Sequence, residues 1–484
     1  MTTKQKNRHA DSTLTRATES TDSSSEASSE SHDENHEVKS HRLLEIPYTI
    51  LLPTLVVVDM IGVSLVVPLL HSQYFQLAGV NSAVQREWLA SIFSASQILG
   101  GLVIGALSDS QVISRHSILI TSFMGSAFAY AMIMEGGLLA IAISRVTVGL
   151  VKQTQTVATS IMAHTTHEKE RATHVGRLNA ATTIAWIVGP SLGAYLFSHV
   201  GTYAPIYASL VLFTINALLV FFCAPYEDHD YAKSPETTDK KDQNSFQRIL
   251  SNFHACFRPE NPCLTAAVLA LLLFQWTSRT TSYKNIASFY EIRFGSEPYQ
   301  REYLQSYQSF LMFVVQSTLV RPILHHAGGE INAACGASML MALANFVTVK
   351  VSFLQYLMLV CPVNAIATAI LGITLKSVVS KVAPKQSLSS VFATVDILQN
   401  AAQVTVPLYR TYLFTLTQPS YTNNEIMVST GDPDPNQWLV ASGIHWLIAA
   451  AAFSYLLLQG RPCAPMIIEN DKRHEASSSK LKES

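Results

Sequence analysis

A chain of 484 residues that is 48% hydrophobic, only 14% charged and has a mean hydropathy of +0.22 carries too little charge for an ordinary soluble protein. Its 33 basic and 34 acidic side chains leave a formal net charge of −1, which gives nucleic-acid binding no basis. The six cysteines are scattered with no CxxC pair, so neither a metal nor a disulfide framework is implied.

Residues 1–45 are polar, acidic and Ser-rich (TESTDSSSEASSESHDENHE). With almost no large apolar side chain to bury, this stretch is expected to be a disordered cytosolic tail. Twelve stretches of membrane-spanning length follow, at 46–70, 88–108, 117–134, 137–158, 174–198, 203–223, 263–287, 303–323, 331–349, 353–375, 387–413 and 437–458. A polar central loop, 224–262, divides them into an N-terminal bundle (46–223) and a C-terminal bundle (263–458), and 459–484 forms a second tail. Several spans hold Ser, Thr, Gln or Asn, as expected of helices whose inner faces are wet or packed on other helices.

Alternate loops hold Arg115, Lys169, Arg171, Arg177, Arg321, Lys376, Lys381 and Lys385, and the long central loop adds more. The opposite loops carry little beyond Arg86, Arg293, Arg301 and Lys350. Positive charge stays cytosolic, so both termini are expected there, with the protein in the plasma membrane or an endomembrane. Sliding the chain by 217 residues lays 164–197 on 381–414, with Pro190 on Pro407 and Tyr-Leu-Phe on Tyr-Leu-Phe. This predicts two homologous six-helix halves.

After the second span comes GALSDSQVISRHSIL, with Gly105, Asp109 four residues on and Arg115 beyond it. The fourth span holds RVTVG (Arg145, Gly149), and the fifth holds WIVGPSLGAYL (Gly189, Pro190, Gly193). In this order and placement they resemble the major facilitator superfamily, in particular its tetracycline-antiporter-like members, although an Arg and a Gly of that family's loop signature are missing after the second span. The resemblance implies an all-α integral membrane fold of twelve transmembrane helices in two pseudo-symmetric six-helix bundles. It also implies a conformational role for Gly105, Asp109, Arg115, Gly149, Gly189, Pro190 and Gly193.

Arg145, Gly149, Lys152 and Thr156 lie on one face of a helix by their spacing. Two cations facing lipid would be doubly penalised, so both are expected to face the bundle interior. Asp59, midway along the first span, is the best-placed acid, and in the superfamily fold the first and fourth helices line the central cavity. Asp59 is therefore expected to pair with Arg145 or Lys152. One acid and two bases leave a net positive cavity, suited to an anionic or zwitterionic solute. Arg279 joins the cavity set, with Asp396 as an acid able to answer Arg279 or Arg410. Gln308, Asn364, Gln399 and Gln403 are candidate solute contacts, although packing between helices explains such residues as readily.

No phosphate loop, nucleophile elbow or zinc helix occurs, so no enzyme, cofactor or metal is expected. The function expected is secondary transport of a small organic solute by a monomer, through alternating access and coupled to protons. A facilitative uniporter and a non-transporting sensor on the same fold are the alternatives.

Overall fold

The computed structural model of the chain describes residues 46–109, 113–165, 168–224, 261–283, 286, 289–297, 300–383, 388–417 and 432–459. The predicted tails and all but the ends of the central loop lie outside the described residues. Within them the chain is helical, with no strand.

Twelve long helices run through the described residues. The N-terminal half contains α1 (Tyr48–Leu77), α2 (Ala83–Asp109), α3 (Arg115–Glu135), α4 (Gly137–Val151, resumed at Thr154–Thr165), α5 (Glu168–His199) and α6 (Ala204–Cys223). The C-terminal half contains α7 (Pro262–Thr280), α8 (Gln300–Val314, continued by Val315–Leu319 and Val320–His326), α9 (Glu330–Thr348), α10 (Phe353–Val382), α11 (Leu388–Leu416) and α12 (Pro435–Gln459). A short helix, Phe289–Phe294, stands between α7 and α8. We call the face where α1 starts and α12 ends the near face, and the opposite one the far face.

Ten of these helices are long and apolar enough to cross a membrane. The exceptions are α8 and α11, which carry Arg301, Glu302, Gln305 and Gln308, and Asp396, Gln399, Asn400, Gln403 and Arg410. Each lies against the other half of the protein, α8 on α5 and α11 on α2, so polar groups find partners there that lipid would not supply. Two boundaries differ from expectation for a related reason. α2 starts at Ala83 rather than 88 and α1 continues to Leu77, because the charged and polar residues there are buried in helix rather than set in solvated loops. Arg86 and Arg301, expected as loop charges, are only 2% and 8% exposed.

Between membrane helices packing replaces water exclusion as the drive, so close approach depends on small residues. Gly189 and Gly193 of α5 sit against α1. A Cβ at Gly189 would lie 1.8 Å from Ser64 Oγ, and one at Gly193 2.4 Å from the Leu65 carbonyl oxygen. The same holds where α4 meets α2: a Cβ at Gly149 would lie 2.6 Å from that of Ser96. The α3–α4 turn is made by Gly136 and Gly137, both in the left-handed region at φ 71° and 79°.

Apolar clusters fill each half. Leu52, Val56, Phe123, Ile161 and Met162 occupy the near part of the N-terminal half, and Tyr74, Phe75, Tyr130 and Phe213 its far part. Trp446 anchors the C-terminal half and donates through Nε1 to Thr281 Oγ1 at 3.1 Å. Cys223, Cys335 and Cys361 are free thiols, whereas Cys263 is disulfide-bonded, a bridge the scattered spacing did not suggest.

Candidate functional site

α4 does not run unbroken past its charges. It ends at Val151, Lys152 adopts φ −77° and ψ 72°, and the helix resumes at Thr154. The Gln153 N–H donates to the Val151 carbonyl at 2.8 Å, an inverse γ-turn centred on Lys152. The expectation that Arg145 and Lys152 share one face of a continuous helix is thus corrected. The turn redirects Lys152, and irregular backbone at membrane depth is tolerated where it is buried in protein or lines a cavity.

The redirected Lys152 Nζ donates to Asp59 Oδ1 on α1. Asp59 is fully buried and the Lys152 side chain 12% exposed. The ammonium also lies 4.7 Å from the centre of the Phe213 ring. Thr154, which opens the second segment of α4, flanks the carboxylate, placing Asp59 where a helix N-terminus favours negative charge. Asp59 Oδ2 has no hydrogen-bond partner. Thr154 is held by Ser122 of α3 at 2.9 Å, and Gln153 Nε2 donates to the Gln97 carbonyl of α2 at 3.3 Å. So α1, α2 and α3 all grip the break.

Arg145 has no carboxylate partner among the described residues. One guanidinium nitrogen donates to Ser144 Oγ at 3.3 Å, its carbon lies 5.8 Å from the Phe93 ring centre, and Nε has no partner. Arg145 is 7% exposed. Of the two cations, then, Lys152 has a carboxylate partner and Arg145, among the described residues, has none.

The other candidates are spread more widely. Arg279 and Asp396 are not brought together: Arg410 donates to the Arg279 and Ser282 carbonyls at 3.0 and 2.6 Å and pairs with Glu87 of α2 at 3.0 Å, while Asp396 is exposed with Lys376 as its neighbouring cation. The expected answer to Arg410 comes from the other half. Gln308 is engaged within the C-terminal half, 3.4 Å from the Tyr356 hydroxyl, and Gln403 donates to Asn400 Oδ1 at 3.2 Å. Asn364 Oδ1 and Gln399 Nε2 have no partner. Gly105 and Asp109 lie in the last turns of α2 and Arg115 opens α3, but the surroundings of Gly105, the Asp109 side chain and the loop at 110–112 lie outside what is described.

A second polar region lies between the halves and was missed from sequence. Arg86 pairs with Asp432, Glu87 with Arg410, and Ser91 Oγ donates to the Val404 carbonyl at 2.9 Å. On the other side Ser72 Oγ and Glu302 Oε1 are 2.6 Å apart, and the Ser191 N–H donates to Ser306 Oγ at 3.0 Å. All of these contacts lie in the far portion of the halves, which are closed against each other there.

The Major Facilitator Superfamily profile matches residues 54–407. Tetracycline resistance protein, class D, from Salmonella ordonez is 27% identical over 220 residues, which are 45% of this chain and 50% of that protein. Major facilitator superfamily domain-containing protein 10 from Bos taurus is 28% identical over 144 residues, 30% of each chain. The chain thus spans half or less of these curated relatives. Among solved structures, the human organic anion transporter MFSD10 (TETRAN) matches 84% of this chain and 100% of its own, with a TM-score of 0.56 and 17% identity. The nucleoside transporter NupG matches 85% of this chain and 99% of its own, with a TM-score of 0.63 and 12% identity. At such identities these structures speak for the fold alone, and the fold agrees with the profile that spans most of both bundles. The chain is a multi-pass membrane protein and belongs to the Major Facilitator Superfamily.

Proposed function

We propose that this protein is a secondary transporter that moves a small organic anion or zwitterion by alternating access, with proton movement tied to Asp59. The observation that carries this reading is the unequal use of the two α4 cations. Lys152 is consumed by Asp59, whereas Arg145 has no acid among the described residues. A buried guanidinium without a counter-ion is costly, and a solute carboxylate or phosphate would relieve that cost. Asn364 and Gln399 offer free polar atoms from the opposite half. The likeness of its fold to that of MFSD10, a human organic anion transporter, points the same way.

Asp59 and Lys152 form the switch. Protonation of Asp59 removes its hold on Lys152, and a freed ammonium adds a second cation for the solute. The exchange of partners ties proton occupancy to solute occupancy. The basic residues at the near-face helix ends, Arg115, Arg177, Lys376 and Lys381 among them, support a cytosolic near face and cytosolic termini. The seam at the far portion then makes this an inward-facing arrangement.

The test is flux in liposomes containing the purified chain, with anionic, zwitterionic and uncharged solutes, with and without a proton gradient, for wild type and Asp59→Asn. Gradient-driven flux of an anionic solute that loses its gradient dependence in the variant supports the reading. Gradient-independent flux in both would make the protein a passive carrier.

A further inference from the structure

The first turns of α2 and α8 carry the same motif. Residues 86–91 read REWLAS and residues 301–306 read REYLQS, 215 positions apart. These are the second helices of the two halves, and both copies face the opposite half. In each, the acid and the serine four residues on share one helix face and make contacts between the halves.

The copies differ in what answers the acid. Glu87 meets the Arg410 guanidinium. The 217-residue shift that lays Pro190 on Pro407 places Gly193 where Arg410 stands. Gly193 is pressed on the Leu65 carbonyl of α1 and has no room for a side chain. So Glu302 meets Ser72 where its counterpart meets a cation. Glu302 is 0% exposed, and its Oε2 has no partner.

Ser72 shows which form of Glu302 fits. Its hydroxyl is 2.6 Å from Glu302 Oε1 and 3.3 Å from the Pro68 carbonyl oxygen. One hydroxyl proton gives a full-strength hydrogen bond to only one acceptor at a time. If Glu302 is protonated, both contacts are satisfied in series: the carboxyl donates to Ser72 Oγ, and Ser72 donates to Pro68. If Glu302 is ionised, a carboxylate is buried with one oxygen unpartnered, a costly arrangement away from water.

We propose that Glu302, with Ser72, is a proton-binding site in the far-face seam, distinct from Asp59, that holds the halves closed when occupied. Opening the seam withdraws Ser72 and brings water to the carboxyl, which then releases its proton to the far side. Acid at the far face therefore favours closure. The charged and titratable groups around the site are Arg301 on α8, Glu291 on the short helix and His71 beside Ser72 on α1, and Arg145 of α4, Arg86 of α2 and Arg410 of α11 act on His71 in turn. Tyr195 and His199 of α5 are exposed, and Tyr290 and Tyr356 belong to the aromatic cluster around Gln308. The site rests on the transport reading and deepens it by assigning a second place for the proton, but its test needs no solute.

Spin labels on ketone-bearing residues at Leu77 and Glu297, both exposed at the far face, report the distance between the halves in the full chain in nanodiscs. In wild type the closed population grows as pH falls. Glu302→Gln, which mimics the protonated group, stays closed at every pH and loses the response. Ser72→Ala, which deletes the acceptor, shifts the midpoint to lower pH. Glu87→Gln keeps the response. If Glu302→Gln and Ser72→Ala both respond as wild type does, the proposal is overturned. If the distances respond as described while no solute crosses liposomes, the gate stands and the transport reading falls. If protons drive solute flux while the wild-type distances ignore pH, the gate falls and the transport reading stands.

Discussion

Lys152 reaches Asp59 from a one-residue turn that interrupts α4, so the ion pair and the break in the helix are one feature. Removing either partner strands a buried charge. Lys152→Met alone should destabilise the protein by about 3–5 kcal/mol, and Lys152→Met with Asp59→Asn by much less. Thermal unfolding in detergent, read as a double-mutant cycle, checks this. Losses that simply add in the double variant would mean that the two groups do not depend on each other.

Arg145 is expected to act on solute charge rather than to support folding. Because the buried guanidinium has no counter-ion, Arg145→Gln should raise the melting temperature of the solute-free protein and weaken uptake of an anionic solute by roughly tenfold or more, the size of one lost charge-assisted hydrogen bond of ~1.5–3 kcal/mol. Uptake of an uncharged solute by the same variant is the control. An equal loss for both solutes would assign Arg145 to packing.

The α1–α5 crossing gives a steric prediction. At Gly189 an added methyl group falls 1.8 Å from Ser64 Oγ. Gly189→Ala should therefore cost about 1–3 kcal/mol through overpacking, and Ser64→Gly in the same chain should recover part of it. Unfolding temperatures of the two single variants and the double variant test this. Rescue requires that the clash be local.

At the far seam, Arg86→Asp should open the halves because it sets two acids together. Adding Asp432→Arg should restore closure. Distances between labels at Leu77 and Glu297 read the outcome. If the swap fails while each half remains folded, the pair is not a direct latch.

Much of the fold was legible because membrane helices announce themselves by length and apolarity. The pairing of Asp59 with a cation on α4 followed from the cost of burying charge. Other features gave no such signal. The turn at Lys152 and Gln153 contains neither proline nor glycine and is held by Gln97, Ser122 and Asp59, residues distant in sequence. Arg86 and Arg301 sit beside loops, and only the packing of the halves reveals that they are buried. The repeated REWLAS and REYLQS were in plain view, but a shift of 217 residues passes over a repeat that needs 215.

The turn in α4 has a further consequence. The first helical hydrogen bond of the second segment runs from the Val157 N–H to the Gln153 carbonyl, so the amides of Thr154, Gln155 and Thr156 have no helical acceptor. Such amides exchange their hydrogens for deuterium whenever solvent touches them. Midway through a membrane protein, they form a built-in humidity gauge. The deuteration rate of a peptide covering 152–157 would report how often the interior is wet, with no label, no solute and no assumption about what the protein carries.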